Sequence, residues 1–167
     1  MSSRDAIVAE IPRLRRYARA LTGAVAPADD LVQATLARAL EKWRFWQRDK
    51  TLRPWLFSIM HNLHVDQLRR SHPIDYRDTD ELPDIPQRPA QLDGLELRDL
   101  DRALAQLPLE QREILLLVGL EELSYQEVAR TLGLPLGTVM SRLSRARARL
   151  RAILAGEAAP CLKVVRP

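Results

Sequence analysis

"LSYQEVARTLGLPLGTVMSRLSRARARLR", residues 123–151, decides how the chain is to be read. Ser124 followed three residues later by Glu127 is a capping box, Gly133 suits the left-handed turn that ends a helix, and a second helix is predicted to start near Pro135. A short helix, a tight turn and a longer helix make a helix-turn-helix, which lays its second helix in the major groove of DNA. At about 100° per residue, Val139, Leu143, Ala146, Leu150 and Ile153 form one stripe for burial. Gly137, Ser141, Ser144 and Ala148, all small, form the opposite ridge. Arg142, Arg145 and Arg149 flank the ridge on one side, Arg147 and Arg151 on the other. A slim ridge admits base edges, while guanidinium groups grip phosphates or guanine. No acid lies between residues 134 and 151 to form the intrahelical pairs of an ordinary solvated face.

Immediately upstream, "LPLEQREILLLVGLEEL" (107–123) predicts a helix with Pro108 in its permitted first turn and Ile114, Leu115 and Val118 for burial. The charge changes sign further upstream. Residues 1–72 hold 13 Lys/Arg and 7 Asp/Glu, residues 73–107 hold 4 and 9, and residues 108–167 hold 9 and 6, within an overall charge of +4. The acidic middle contains "PIDYRDTDELPDIPQRPAQLD" (73–93), with four prolines, six acids and no helical period, which reads as a linker. The expected organisation is all-α: a helical bundle over 1–72, an acidic linker over 73–95, a helix-turn-helix domain over 96–155 and a tail over 156–167.

In the first block Ile7, Ile11, Leu14, Ala18 and Leu21 keep the amphipathic period, with Pro12 bending the first turns and Gly23 as stop signal. A second helix is predicted from Ala28 to Trp46 with Val32, Leu36, Ala39, Leu40 and Trp43 on its stripe. Pro54 opens a third, with Leu56, Ile59 and Leu63 inward. The wheel sets Leu31 beside Asp30, off that stripe, so "DDLVQ" is either an acidic and apolar protein contact or simply acid favouring a helix N-terminus. Trp46, Asn62, Arg48, Lys50, Arg53, Arg69 and Arg70 likewise allow two readings. They suit single-stranded bases stacked on an aromatic ring beside phosphate-neutralising charge, or they are core tryptophan and solvated arginine.

Several classes are disfavoured. The lone Cys161 offers no internal disulfide and reads as an ordinary thiol, the N-terminus lacks a signal-peptide run, and no apolar stretch approaches the ~18 residues of a membrane span, so a cytoplasmic setting is expected. His61, His64 and nearby Asp66 have a spacing open to metal, but a structural or surface role is the expectation for each; no catalytic residue, metal or cofactor is expected.

The order "ADDLVQATLARALEKW", "LRPWLFSIMHNLHVDQLRR", acidic linker and helix-turn-helix resembles the extracytoplasmic-function (ECF) group of sigma-70-type sigma factors, over residues 5–154. The resemblance implies a bacterial transcription initiation subunit that is not itself an enzyme. Region 2 would dock on the clamp helices of the polymerase beta-prime subunit through Asp29, Asp30, Leu31 and Gln33. It would melt the minus-ten element with Trp46, Asn62, the 47–53 loop carrying Arg48, Lys50 and Arg53, and Arg69 and Arg70 on the backbone. Region 4 would touch the beta flap and read the minus-thirty-five element through Thr138, Ser141, Arg142, Arg145 and Arg149. An anti-sigma factor is a further implied partner. The chain departs from many relatives at Met140, where lysine is common, and in its own version of the 47–53 loop. Rival readings are a sigma-like decoy for an anti-sigma factor and a stand-alone helix-turn-helix regulator.

Overall fold

A computed structural model describes residues 2–46, 51–71 and 95–156, and these residues fold as seven α-helices with no strand among them. Helix α1 (Ser3–Thr22) starts at a capping box in which the Asp5 amide donates to Ser2 Oγ at 3.3 Å and the Ser2 amide donates to Asp5 Oδ2 at 2.9 Å. It runs unbroken through Pro12 and stops at Gly23, whose φ of 75° lets its amide reach the Arg19 carbonyl at 2.9 Å. Helix α2 (Val25–Glu41) leads through a 3-10 turn at Trp43–Phe45 to helix α3 (Leu52–Ser71), which carries Pro54 in its first turn. The acidic linker and Cys161 lie outside the described residues, as do Arg48 and Lys50.

The second group begins with α4 (Leu95–Ala105) and α5 (Leu109–Leu115). A single wide turn over Leu116–Leu120 continues α5, the Glu121 amide reaching five residues back to the Leu116 carbonyl at 3.0 Å. Leu116 and Leu117 are buried there, whereas the expected Leu115 and Val118 are only half-buried. Helices α6 (Tyr125–Leu132) and α7 (Leu136–Leu154) complete the helix-turn-helix.

Helix α2 corrects the expected stripe. Its buried face is Ala28, Leu31, Val32, Thr35 and Ala39, whereas Leu40 is 52% exposed. The face is turned by about 60° from the one drawn through the large apolar residues. Small Ala28, Thr35 and Ala39 line the buried face, and the Thr35 hydroxyl is satisfied within the helix by the Leu31 carbonyl at 2.7 Å.

The two groups share one hydrophobic cluster. Leu14, Tyr17, Leu21, Leu31, Leu56, Phe57 and Met60 fill the first, with the Tyr17 and Phe57 rings edge-on at 4.8 Å. Ile114, Leu117, Val128, Val139, Leu143 and Ala146 fill the second. Helix α6 packs on α3, while α1 packs on α5 and the wide turn. The sequence predicts two bodies on a tether; the described helices of both blocks are docked against one another.

Candidate nucleic-acid and polymerase interface

The helix-turn-helix is built by local chemistry at each end of α6. The Glu127 amide donates to Ser124 Oγ at 3.1 Å and the Ser124 amide donates to Glu127 Oε2 at 2.8 Å. Gly133, with φ 66°, directs its amide to the Ala129 carbonyl, and the chain re-enters helix after Pro135. On α7, Val139, Leu143 and Ala146 are buried and Leu150 and Ile153 pack against the core, so the stripe is as the spacing predicts. Gly137, Ser141, Ser144 and Ala148 are exposed. So are Arg145, Arg147 and Arg151, whereas Arg142 and Arg149 are half-buried. Arg142 lies 3.6 Å from Glu110 of α5, which makes it partly an anchor for α7, and Arg149 Nε is enclosed without a hydrogen-bond partner among the described residues. Thr138 is half-buried, and its carbonyl accepts the Ser141 hydroxyl at 3.1 Å.

In the first group, Asp30 and Gln33 are exposed on α2 and Asp29 is half-buried. Leu31 is fully buried and cannot present an apolar surface; the 60° turn of the stripe carries it into the core and leaves "DDLVQ" a polar face. Trp46 belongs to a cluster with Trp43 at 4.9 Å and Trp55 at 6.4 Å between ring centroids. Its indole nitrogen is buried with no partner among the described residues. Trp55 joins this cluster without standing out by helical period, and the WLF run after Pro54 is the sequence signal that marks it. Arg53 does not join an exposed basic group. Its guanidinium grips Glu10 of α1 through Nε at 3.0 Å and Nη2 at 3.3 Å, and this bond raises its pKa above the ordinary arginine value. Asn62, Arg69 and Arg70 are all exposed on α3, and helical spacing puts them on one broad face with Asp66.

A set of polar contacts across the two helix groups was not legible in the sequence. Glu121, fully buried beyond the wide turn, meets Arg16 at 3.2 Å and Arg13 at 3.7 Å. His61 Nδ1 lies 2.5 Å from the buried Glu113 carboxylate. Arg112 donates to the carbonyls of Leu104, Ala105 and Leu107 and, across the groups, to Leu21 at 2.8 Å. Burial lowers its pKa, but four carbonyl acceptors satisfy the charge. Burial, with the neighbouring charges of His61 and Arg112, pushes the His64 pKa down to about 4. Tyr17 is pushed well above the usual phenol value by burial and by the nearby Glu113 and Glu121. Among the described residues no cluster of histidine, cysteine and carboxylate could hold a metal ion, and no helix is long and apolar enough to cross a membrane.

A helical bundle with basic and aromatic features, joined to an arginine-flanked helix-turn-helix, defines a two-part DNA-binding transcription protein. Residues 7–61 match the sequence profile described as "Sigma2 domain of PhyR", and residues 97–150 match "Sigma-70, region 4". The ECF RNA polymerase sigma factor EcfG of Rhodopseudomonas palustris is 40% identical over 154 residues, spanning 92% of this chain and 85% of that protein. The sigma factor RpoE of Bartonella quintana, solved in complex with the anti-sigma factor NepR, aligns with a TM-score of 0.74 and 34% identity over 93% of this chain and 98% of that one. The PhyRSL–NepR complex from Sphingomonas sp. Fr1 gives a TM-score of 0.71 and 25% identity over 96% of this chain and 94% of that one. The chain belongs to the ECF RNA polymerase sigma factors.

Proposed function

We propose that this chain is an alternative sigma factor that binds core RNA polymerase and directs initiation at a particular set of promoters. The observation that carries this is α7, where a small exposed ridge between arginines sits in the same chain as the exposed Asn62, Arg69 and Arg70 of the first bundle. Asp29, Asp30 and Gln33 are the polymerase-facing residues, with Leu31 supporting them from behind. Trp46, Asn62, Arg69 and Arg70 serve the minus-ten element together with Arg48, Lys50 and Arg53, the last after release from Glu10. Thr138, Ser141, Arg142, Arg145 and Arg149 serve the minus-thirty-five element, Arg142 sharing its charge with Glu110. The protein acts in the cytoplasm, catalyses no reaction itself, needs no cofactor, and has an anti-sigma factor among its partners, as the RpoE–NepR pair supports.

A decoy reading draws on the match to the PhyR sigma domain and the likeness to PhyRSL bound to NepR. A decoy has no use for a DNA-reading helix, so α7 favours the initiating sigma factor. Purified chain added to core polymerase should start transcripts at a discrete set of genomic positions, and Arg145→Ala should weaken promoter binding while sparing core binding. Absence of both core binding and transcript starts would overturn the assignment; binding to an anti-sigma factor without transcription would favour the decoy.

A further inference from the structure

Two large apolar side chains stand out of place on the helix that should be most polar. Leu136 is 42% exposed and Met140 51% exposed, on the first two turns of α7. They are four residues apart and therefore neighbours on the helix surface, with Cβ atoms about 6 Å from one another. The same flank continues toward the C-terminus with the exposed Arg147 and Arg151, and the small residues Gly137, Ser141 and Ser144 lie beside it. The apolar pair thus occupies the N-terminal end of the flank beside the slim ridge, and cationic residues occupy the C-terminal end of that flank.

The surroundings select the occupant. With five arginines and no acid between residues 134 and 151, the helix that carries the patch is positively charged, with Arg147 and Arg151 further along the same flank, and suits a polyanion. Duplex DNA is a polyanion whose major groove contains one apolar recognition group, the thymine C5-methyl. The N-terminal residues of the second helix of a helix-turn-helix are those that reach base edges. A spacing of about 6 Å also spans one to two base-pair steps of roughly 3.4 Å.

We propose that Leu136 and Met140 read the C5-methyl groups of neighbouring thymines in the minus-thirty-five element, giving this sigma factor a methyl-dependent sequence preference that its arginines do not supply. This rests on the sigma-factor reading above. The pair contributes specificity, and the arginines contribute phosphate affinity.

The test uses the full chain assembled with core polymerase on a promoter found by mapping its transcript starts. Each thymine of the minus-thirty-five element, on either strand, is replaced singly by uracil, which removes the methyl group and keeps every groove hydrogen bond. At one or two positions uracil should lower promoter binding about three- to fourfold, the effect of losing one buried methyl group. Met140→Ala should lower binding to the thymine promoter by at least as much and abolish the uracil effect at one position, and Leu136→Ala should do the same at its neighbour. Neither variant should change the salt dependence of binding, whereas Arg145→Ala should flatten it. Insensitivity to uracil at every position, or full uracil sensitivity retained by both variants, would overturn the inference. So would Met140→Ala weakening core or anti-sigma binding while promoter discrimination is untouched, since the patch would then be a protein contact. A chain that starts no transcript on any promoter fails the sigma-factor reading instead, which keeps the two failures distinct.

Discussion

Single buried ionisable groups have the clearest measurable consequences. The His64 pKa of about 4 lies below the ordinary value of 6.5, because the folded protein disfavours the charged ring. Between those two values the unfolded chain takes up a proton that the folded chain does not, so this contribution is intact above pH 6.5 and is lost as pH falls toward 4. The loss at pH 5 relative to pH 7 is about 2 kcal/mol. Urea denaturation at both pH values should show it, and His64→Leu should flatten the difference; an unchanged slope would mean that other groups carry the acid sensitivity. Glu121 has a different asymmetry. Its carboxylate is fully buried, while Arg13 and Arg16 remain 40% and 51% exposed at their side chains. Removing both arginines strands a buried charge, whereas removing the glutamate leaves two cations free to reach water. The double variant Arg13→Ala, Arg16→Ala should therefore cost up to ~3 kcal/mol, and Glu121→Leu distinctly less. Equilibrium unfolding at neutral pH decides the order, and the reverse order would remove Glu121 from this role.

At the scale of the element, the helix-turn-helix depends on the caps of a helix only eight residues long. Ser124→Ala removes one side of the capping box and should cost about 1 kcal/mol. Gly133→Ala should cost a similar amount through its left-handed backbone, since a Cβ there meets no neighbouring atom and only φ opposes it. Both losses should appear as lower urea midpoints and faster amide exchange in α6. These features were legible because capping boxes, stop glycines and helical stripes are local: Ser124, Glu127, Gly133 and the α7 stripe all stand where the sequence puts them. Helix α2 departs from its wheel because large apolar residues dominate the wheel, whereas the packed face uses Ala28, Thr35 and Ala39. Leu31, expected at the surface, is core for that reason. Arg53 reads from sequence as a DNA-facing cation because its partner Glu10 lies 43 residues away, and sequence spacing carries no signal for such a pair. The ion pairs of Glu121 and the His61–Glu113 contact were invisible on the same grounds.

For the whole molecule, the packing of the two helix groups conflicts geometrically with the proposed reading of two promoter elements. Elements at minus ten and minus thirty-five are about 25 base pairs apart, roughly 85 Å along the duplex. A compact body the size of the described residues has a radius of gyration of only about 14 Å. If, as proposed, the first bundle serves the minus-ten element and α7 the minus-thirty-five element, α6 packed on α3 and Arg16 tied to Glu121 prevent the two faces from engaging both elements at once. On that proposed reading, initiation requires the halves to separate, breaking the contacts of Glu121 with Arg13 and Arg16, the His61–Glu113 contact and the Arg112 bond to Leu21. If the packed state dominates in the free protein, apparent affinity for polymerase is reduced by the fraction that is open. Weakening the contact should then tighten polymerase binding even while it lowers stability, because opening returns Glu121 to water. Spectroscopic labels at Gln67→Cys and Gln126→Cys, in a chain with Cys161→Ser, report the separation between α3 and α6. The distance should be short in the free protein and increase by tens of ångströms on assembly with polymerase and promoter DNA. Arg16→Ala should shift the free protein toward the long distance and strengthen core binding. A short distance in a complex that is transcribing would refute the requirement for opening.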